Sequence, residues 1–86
     1  MDSELEKYIP FVKAIAKRYT SDEGEIQELI DAGTIGLAEA AERFDEGWGI
    51  RFIIFAVWYI RRSIESYLVE KGYKPPFRHY GKRNED

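Results

Sequence analysis

The sequence predicts an all-α protein: a small three-helix domain over residues 1–72, followed by a flexible polar C-terminal tail over 73–86. Three observations carry that reading. Apolar residues recur at intervals of three and four in three long windows, the spacing of one helix face. Clusters of turn formers separate the windows at 20–24 and 45–49, and a Pro-Pro pair ends the last one. The chain has 86 residues, 44% hydrophobic and 15% aromatic, which is enough for one domain with a real core.

The first helix opens at Ser3, with Glu6 three residues on in a capping-box pattern. Leu5, Tyr8, Ile9, Val12, Ile15, Ala16 and Tyr19 then form an apolar stripe, while Lys7, Lys13, Lys17 and Arg18 cover the outer side. Pro10 lies inside this stretch and lacks an N–H. It is expected to kink the helix or to split off its first turns as a separate segment. Thr20-Ser21-Asp22-Glu23-Gly24 is a loop that offers capping side chains to the next helix. The second helix is expected from about Glu25 to Phe44. Gly33 and Gly36 lie inside it, each costing up to ~1 kcal/mol relative to alanine. Two such costs predict the close approach of another backbone or side chain, inside the domain or from a partner. Asp45-Glu46-Gly47-Trp48-Gly49 reads as a turn. The third helix is expected from about Arg51 to Lys71, with Gly72 as its stop. Pro75-Pro76 forbids further helix, and the tail carries Lys74, Arg78, His79, Lys82 and Arg83.

The third helix has two faces. Ile53, Val57, Ile60, Ile64 and Leu68 share one side with Ala56 and Tyr67, and this side wants a core. Arg51, Phe55, Trp58, Arg62 and Glu65 share the other, with Tyr59 on a flank. Flat rings beside fixed positive charge suit unstacked bases and phosphates. A helix apolar on both sides can equally be the central helix of a bundle, its arginine stems lying along apolar surface.

The net charge of −3 hides an asymmetry. Residues 1–45 hold five basic and eleven acidic residues, net −6; residues 46–86 hold eight and five, net +3. An acidic front and a basic, ring-bearing back suit a protein that meets nucleic acid with one surface and something else with the other, although a solvated imbalance is common. With no cysteine there is no disulfide framework and no cysteine metal site, in keeping with a reducing cytosol. No apolar run approaches a membrane span. The acidic Met1-Asp2-Ser3-Glu4 start argues against a secretory or transit peptide. One histidine, His79, without a nucleophile or an orienting partner argues against an enzyme. Asp22, Glu23 and Glu25 are explained by the helix dipole better than by a metal. No cofactor is expected.

Four fragments share an order and a spacing: Leu29-Ile30-Asp31-Ala32-Gly33-Thr34-Ile35-Gly36-Leu37, Ala40-Ala41-Glu42-Arg43-Phe44-Asp45, Gly49-Ile50-Arg51-Phe52 and Phe55-Ala56-Val57-Trp58-Tyr59-Ile60-Arg61. Together they closely resemble region 2 of bacterial RNA polymerase sigma factors, of the housekeeping type and its close alternative relatives. Tyr8 to Tyr19 also resembles the opening helix of that region, so the resemblance spans about residues 5 to 70.

The resemblance implies a role in transcription initiation, in the cytoplasm, with core RNA polymerase and promoter DNA as partners. In that family the second helix docks on a coiled coil of the polymerase clamp; the matching positions are Glu28, Asp31, Ala32, Thr34 and Ile35. The third helix captures flipped bases of the melted non-template strand at the minus-ten element. By match, Phe55, Trp58 and Tyr59 would wedge and stack, Arg51 and Arg61 would meet phosphates, Arg62 would face the upstream edge, and Phe52 belongs to the same surface. Stacking returns about 1–3 kcal/mol per base against an unstacking cost of a few kcal/mol, and no bond chemistry is needed.

The chain departs from the pattern at several places. Trp58-Tyr59 stands for the usual tryptophan pair, Phe55 for a tyrosine and Ile54 for a small hydroxyl residue. Glu65 puts a carboxylate near upstream DNA, and Asp31 stands where glutamine is frequent. No domain for the minus-thirty-five element fits in this length. That leaves an excised domain, a stand-in for part of a sigma factor, or a partner that supplies the rest. The rival reading is a protein-interaction module that binds the clamp or an anti-sigma-like regulator without melting DNA. Joint exposure of Phe55, Trp58 and Tyr59 would favour DNA; their burial would favour the rival.

Overall fold

In the computed structural model, which describes residues 3–77 (Ser3 by its backbone alone), the chain forms α1 (Ser3–Glu6), α2 (Ile9–Ala16), α3 (Glu23–Arg43), a 3-10 turn (Glu46–Trp48) and α4 (Phe52–Glu70), with no strand among the described residues. The expected all-helical, three-helix body is present, with α1 and α2 together making up the expected first helix. Of the two outcomes expected from Pro10, the split occurs. Pro10 sits in the first turn of α2, where its missing N–H costs nothing, and α1 is a separate turn. The capping box at Ser3 falls outside the described side chains.

α2 ends at Ala16 in tight turns, with Arg18 N–H donating to the Ile15 carbonyl (3.0 Å) and Tyr19 N–H to that of Ala16 (2.9 Å). These turns drop Tyr19 and Thr20 into the interior. Thr20 is fully buried yet satisfied: its hydroxyl donates to Glu25 Oε1 at 3.0 Å and accepts from Asp22 N–H at 3.0 Å. Asp22 then caps α3, accepting from the N–H groups of Gly24 (2.8 Å) and Glu25 (3.3 Å). Asp22→Ala should therefore cost about 1 kcal/mol. In a thermal melt that is a drop of roughly 4–8 °C. An unchanged midpoint would mean that the cap contributes nothing.

α3 and α4 pack side by side and α2 lies across both. Val12, Ala16, Leu29, Leu37, Ala40, Ala56, Ile60, Ile64 and Leu68 are fully buried between them. The two glycines do what their cost implied. A β-carbon on Gly33 would meet Val12 Cγ1 at 2.8 Å, and one on Gly36 would sit 2.2 Å from the Tyr59 carbonyl oxygen. At Gly36 the backbone of α4 thus lies directly against α3.

Gly72, at φ 99°, ends α4 as expected. Its N–H donates to the Val69 carbonyl (3.0 Å) and the Tyr73 N–H to the Leu68 carbonyl (3.0 Å), the paired bonds of a Schellman stop. Residues 73–77 belong to the stretch expected as a tail. Tyr73 packs on the core and Phe77 is buried at 7% exposure, so residues 73–77 strap the body beside α2 and α4. Arg78, His79, Lys82 and Arg83 lie outside the described residues.

Candidate nucleic-acid interface

The exposed side of α4 is built by helical spacing from Ile54, Trp58, Arg61 and Arg62, with Arg51 exposed just ahead of the helix and Glu65 half-buried at the border. Trp58 is 76% exposed, the most exposed large apolar side chain among the described residues. It lines an open cleft of about 650 Å³ with Val57, Tyr59, Arg61, Arg62 and Glu65. Arg51 sits at the N-cap of α4, exposed and without a side-chain cap bond. Ile54 (57%) lies one helical turn before Trp58, and Ile50 (46%) is exposed just ahead of the helix.

The three rings whose joint exposure would favour DNA, and whose burial would favour the rival, are divided. Phe55 and Tyr59 are half-buried, with ring centroids 5.0 Å apart. Phe55 also packs on Phe44 (5.5 Å) and Trp48 (5.2 Å), and Phe44 on Phe52 (5.4 Å). Phe52 in turn meets Tyr8 edge-on at 5.1 Å. A cluster of rings from the end of α3, the 3-10 turn and α4 therefore holds Phe52, Phe55 and Tyr59 by their sides. Trp58 alone of the expected stacking rings stands clear. Asp45 fixes the turn that delivers Trp48, accepting from Gly47 N–H at 2.8 Å. Gly49, at φ 78°, supplies the left-handed step that lets the chain re-enter a helix. The Gly47-Trp48-Gly49 run, a large ring between two glycines, was the sequence signal for this support.

Glu65 does not stand free beside the arginines. Tyr19 Oη donates to Glu65 Oε2 at 2.6 Å, and Arg61 Nε donates to Tyr19 Oη at 3.4 Å. Sequence reasoning gave Tyr19 to the core only, and no periodicity reports a bond to a residue on a different helix. Burial and the bond to Glu65 push the Tyr19 hydroxyl's pKa up, against the Arg61 charge, which lowers it. A raised folded-state pKa stabilises the fold fully below the unfolded value of 10.0; that contribution fades as pH rises from there through the folded value. Stability measured by denaturant between pH 9 and 11 should fall more steeply in the unaltered chain than in Tyr19→Phe. Equal slopes would contradict this.

The positions expected to meet the polymerase lie on another side. Glu28, Asp31 and Ile35 are exposed along α3, Ile35 at 68%, and they border a shallow groove of about 390 Å³ with Ser63, Ser66, Tyr67 and Glu70 of α4. Ala32 is turned inward at 9% exposure, and Thr34 donates its hydroxyl to the Ile30 carbonyl at 2.7 Å. These two thus shape the groove and the helix more than they project from it. Glu28 accepts from the Tyr67 hydroxyl and lies 3.7 Å from Lys71 Nζ. The bond to Glu28 raises the Tyr67 hydroxyl's pKa. Among the described residues no group of three or more metal-ligating side chains occurs, and no helix is long and apolar enough to cross a membrane.

A family model described as Sigma-70 region 2 matches residues 5–72. The chain belongs to this family. Its curated relatives include the RNA polymerase sigma-B factor of Myxococcus xanthus, 42% identical over 60 residues, which covers 70% of this chain and 24% of the relative. They also include the RNA polymerase sigma factor SigA of Nostoc sp., 34% identical over 71 residues, covering 83% of this chain and 18% of the relative. SigA1 of Synechococcus elongatus is similar to the same degree, 34% over 71 residues, with the same shares of the two chains covered. The chain thus spans about a quarter or less of the length of these relatives. The matched region runs through both the Trp58 cleft and the Ile35 groove.

Proposed function

We propose that this sigma region 2 chain acts in transcription initiation in the cytoplasm, joining core RNA polymerase to the melted non-template strand of a minus-ten element, without catalysing a reaction. The observation that carries the reading is Trp58: a large ring, 76% exposed, beside Arg61 and Arg62 on a helix that lies in the family match. A base stacks on Trp58, while Arg51, Arg61 and Arg62 attract the strand's phosphates. Phe52, Phe55 and Tyr59 act mainly by holding that surface rigid. At the α3 groove, Glu28, Asp31 and Ile35 meet the clamp coiled coil, with Ala32 in the groove's lining and Thr34 bonded back onto the helix beside it.

A second reading is a protein-binding module for the clamp or for an anti-sigma-like regulator. The exposed Ile50 and Ile54 beneath Trp58 favour it, because aliphatic side chains offer phosphates nothing. Fluorescence anisotropy separates the two, using a labelled single-stranded oligonucleotide with a minus-ten-like sequence against a scrambled one. The chain is titrated alone and with core RNA polymerase, over a salt series. Sequence-dependent binding supports promoter recognition. No binding, or sequence-blind binding that vanishes with salt in both settings, rejects it in favour of the module.

A further inference from the structure

We infer that Tyr19 is a positioning residue of the nucleic-acid face, its hydroxyl standing between Arg61 and Glu65 so that the arginine stays free for a strand phosphate. The inference rests on the proposed DNA-binding role. Arg61 and Glu65 are four apart on α4, within reach of a direct ion pair. They do not form one. Instead Tyr19, from the turn after α2, donates to Glu65 Oε2 at 2.6 Å and receives Arg61 Nε at 3.4 Å.

This geometry has two consequences. The carboxylate is tied to the Tyr19 hydroxyl at the border of the Trp58 cleft and is not paired with Arg61. Arg61 is held through Nε, which leaves its two terminal nitrogens, the pair that can fork onto a phosphate, uncommitted to Glu65. Tyr19 is only 6% exposed, so its ring is fixed by the core and the hydroxyl has one place to be. The same residues, with Arg18, line a neighbouring cleft of about 730 Å³ between α2, α4 and the Pro75–Phe77 strap. Arg61 and Glu65 border both clefts, so the Tyr19 bond sets how much positive charge reaches the Trp58 side. The device answers the departure that Glu65 makes from the family's pattern: a carboxylate bordering the binding face is tolerated because a tyrosine from the turn after α2 holds it by a hydrogen bond.

The test is a double-mutant cycle read by fluorescence anisotropy, with the same minus-ten-like oligonucleotide and core RNA polymerase present and absent. Tyr19→Phe removes only the hydroxyl. It should weaken binding roughly twofold to fivefold, the scale of one exposed charge interaction. It should also flatten the salt dependence by about 0.7 in log–log slope, one phosphate contact of a single strand. In a Glu65→Gln background there is no carboxylate to collapse on Arg61, so adding Tyr19→Phe should cost nothing. An equal loss in both backgrounds would make Tyr19 a packing residue and overturn the inference, as would no loss in either. If the unaltered chain binds no oligonucleotide in either setting, the DNA reading fails and the inference falls with it.

Discussion

Gly36→Ala should be the most damaging single-methyl change in this protein, lowering stability by about 3 kcal/mol, the upper end of ordinary overpacking. The added carbon would lie 2.2 Å from the Tyr59 carbonyl oxygen, 2.7 Å from its carbon and 2.9 Å from Ser63 Oγ. Ordinary contact needs about 3.5 Å. The obstacle is the backbone of α4, which cannot rotate aside as a side chain would. Relief requires α3 and α4 to separate by more than about 1 Å, and that loosens Leu37, Ile60 and Ile64, all fully buried. Against this stands the gain of ~1 kcal/mol that alanine brings to a helix interior. The clash outweighs it because one displacement is felt along the whole helix pair. In a thermal melt the change should lower the midpoint by roughly 12–24 °C. Gly33→Ala makes the contrast: its nearest neighbours, at 2.8 and 3.1 Å, are the Val12 and Ile60 side chains and not backbone, so the loss should be smaller. A Gly36→Ala protein as stable as the parent would mean that the helices do not approach this closely.

Much of this architecture was legible in the residues. The long periodic windows placed α3 and α4 to within two residues at each end, because a stripe buried on one side demands the helical period throughout. The glycine pair foretold the close helix approach for the same reason that makes it costly. The strap at Phe77 was not legible: one ring after Pro-Pro has no period, and only the finished body offers it a cavity. The binding face was legible by half. A helical wheel places Phe55, Trp58 and Tyr59 near one another but is blind to Phe44 and Trp48, whose rings pack on Phe55 from the adjoining turn and so help hold Tyr59 as well. Glu65 was read as a free carboxylate because its partner, Tyr19, is 46 residues away. Helix existence is thus a local property, whereas the charge and exposure of a site belong to contacts between helices.

Trp58→Ala should separate the face from the fold. A side chain 76% exposed takes few core contacts with it, so stability should move by no more than about 0.5 kcal/mol. Binding of the minus-ten-like strand should fall by the worth of one stacked base, about 1–3 kcal/mol, or roughly 5- to 150-fold in Kd. The loss should be nearly independent of salt, because stacking releases no counterions. Arg62→Ala should behave in the opposite way, weakening binding to any sequence and reducing the salt slope by about 0.7. Trp58→Tyr, which keeps a flat ring, should retain most of the affinity. The contrast between ring and charge decides between the two readings of α4. A protein partner seated on Ile50, Ile54 and Trp58 would lose the tryptophan's buried area too, but its affinity would not discriminate between oligonucleotide sequences. If Trp58→Ala unfolds the chain, the ring belongs to the core. If the variant folds and binds the strand as tightly as the parent, α4 does not recognise bases through it.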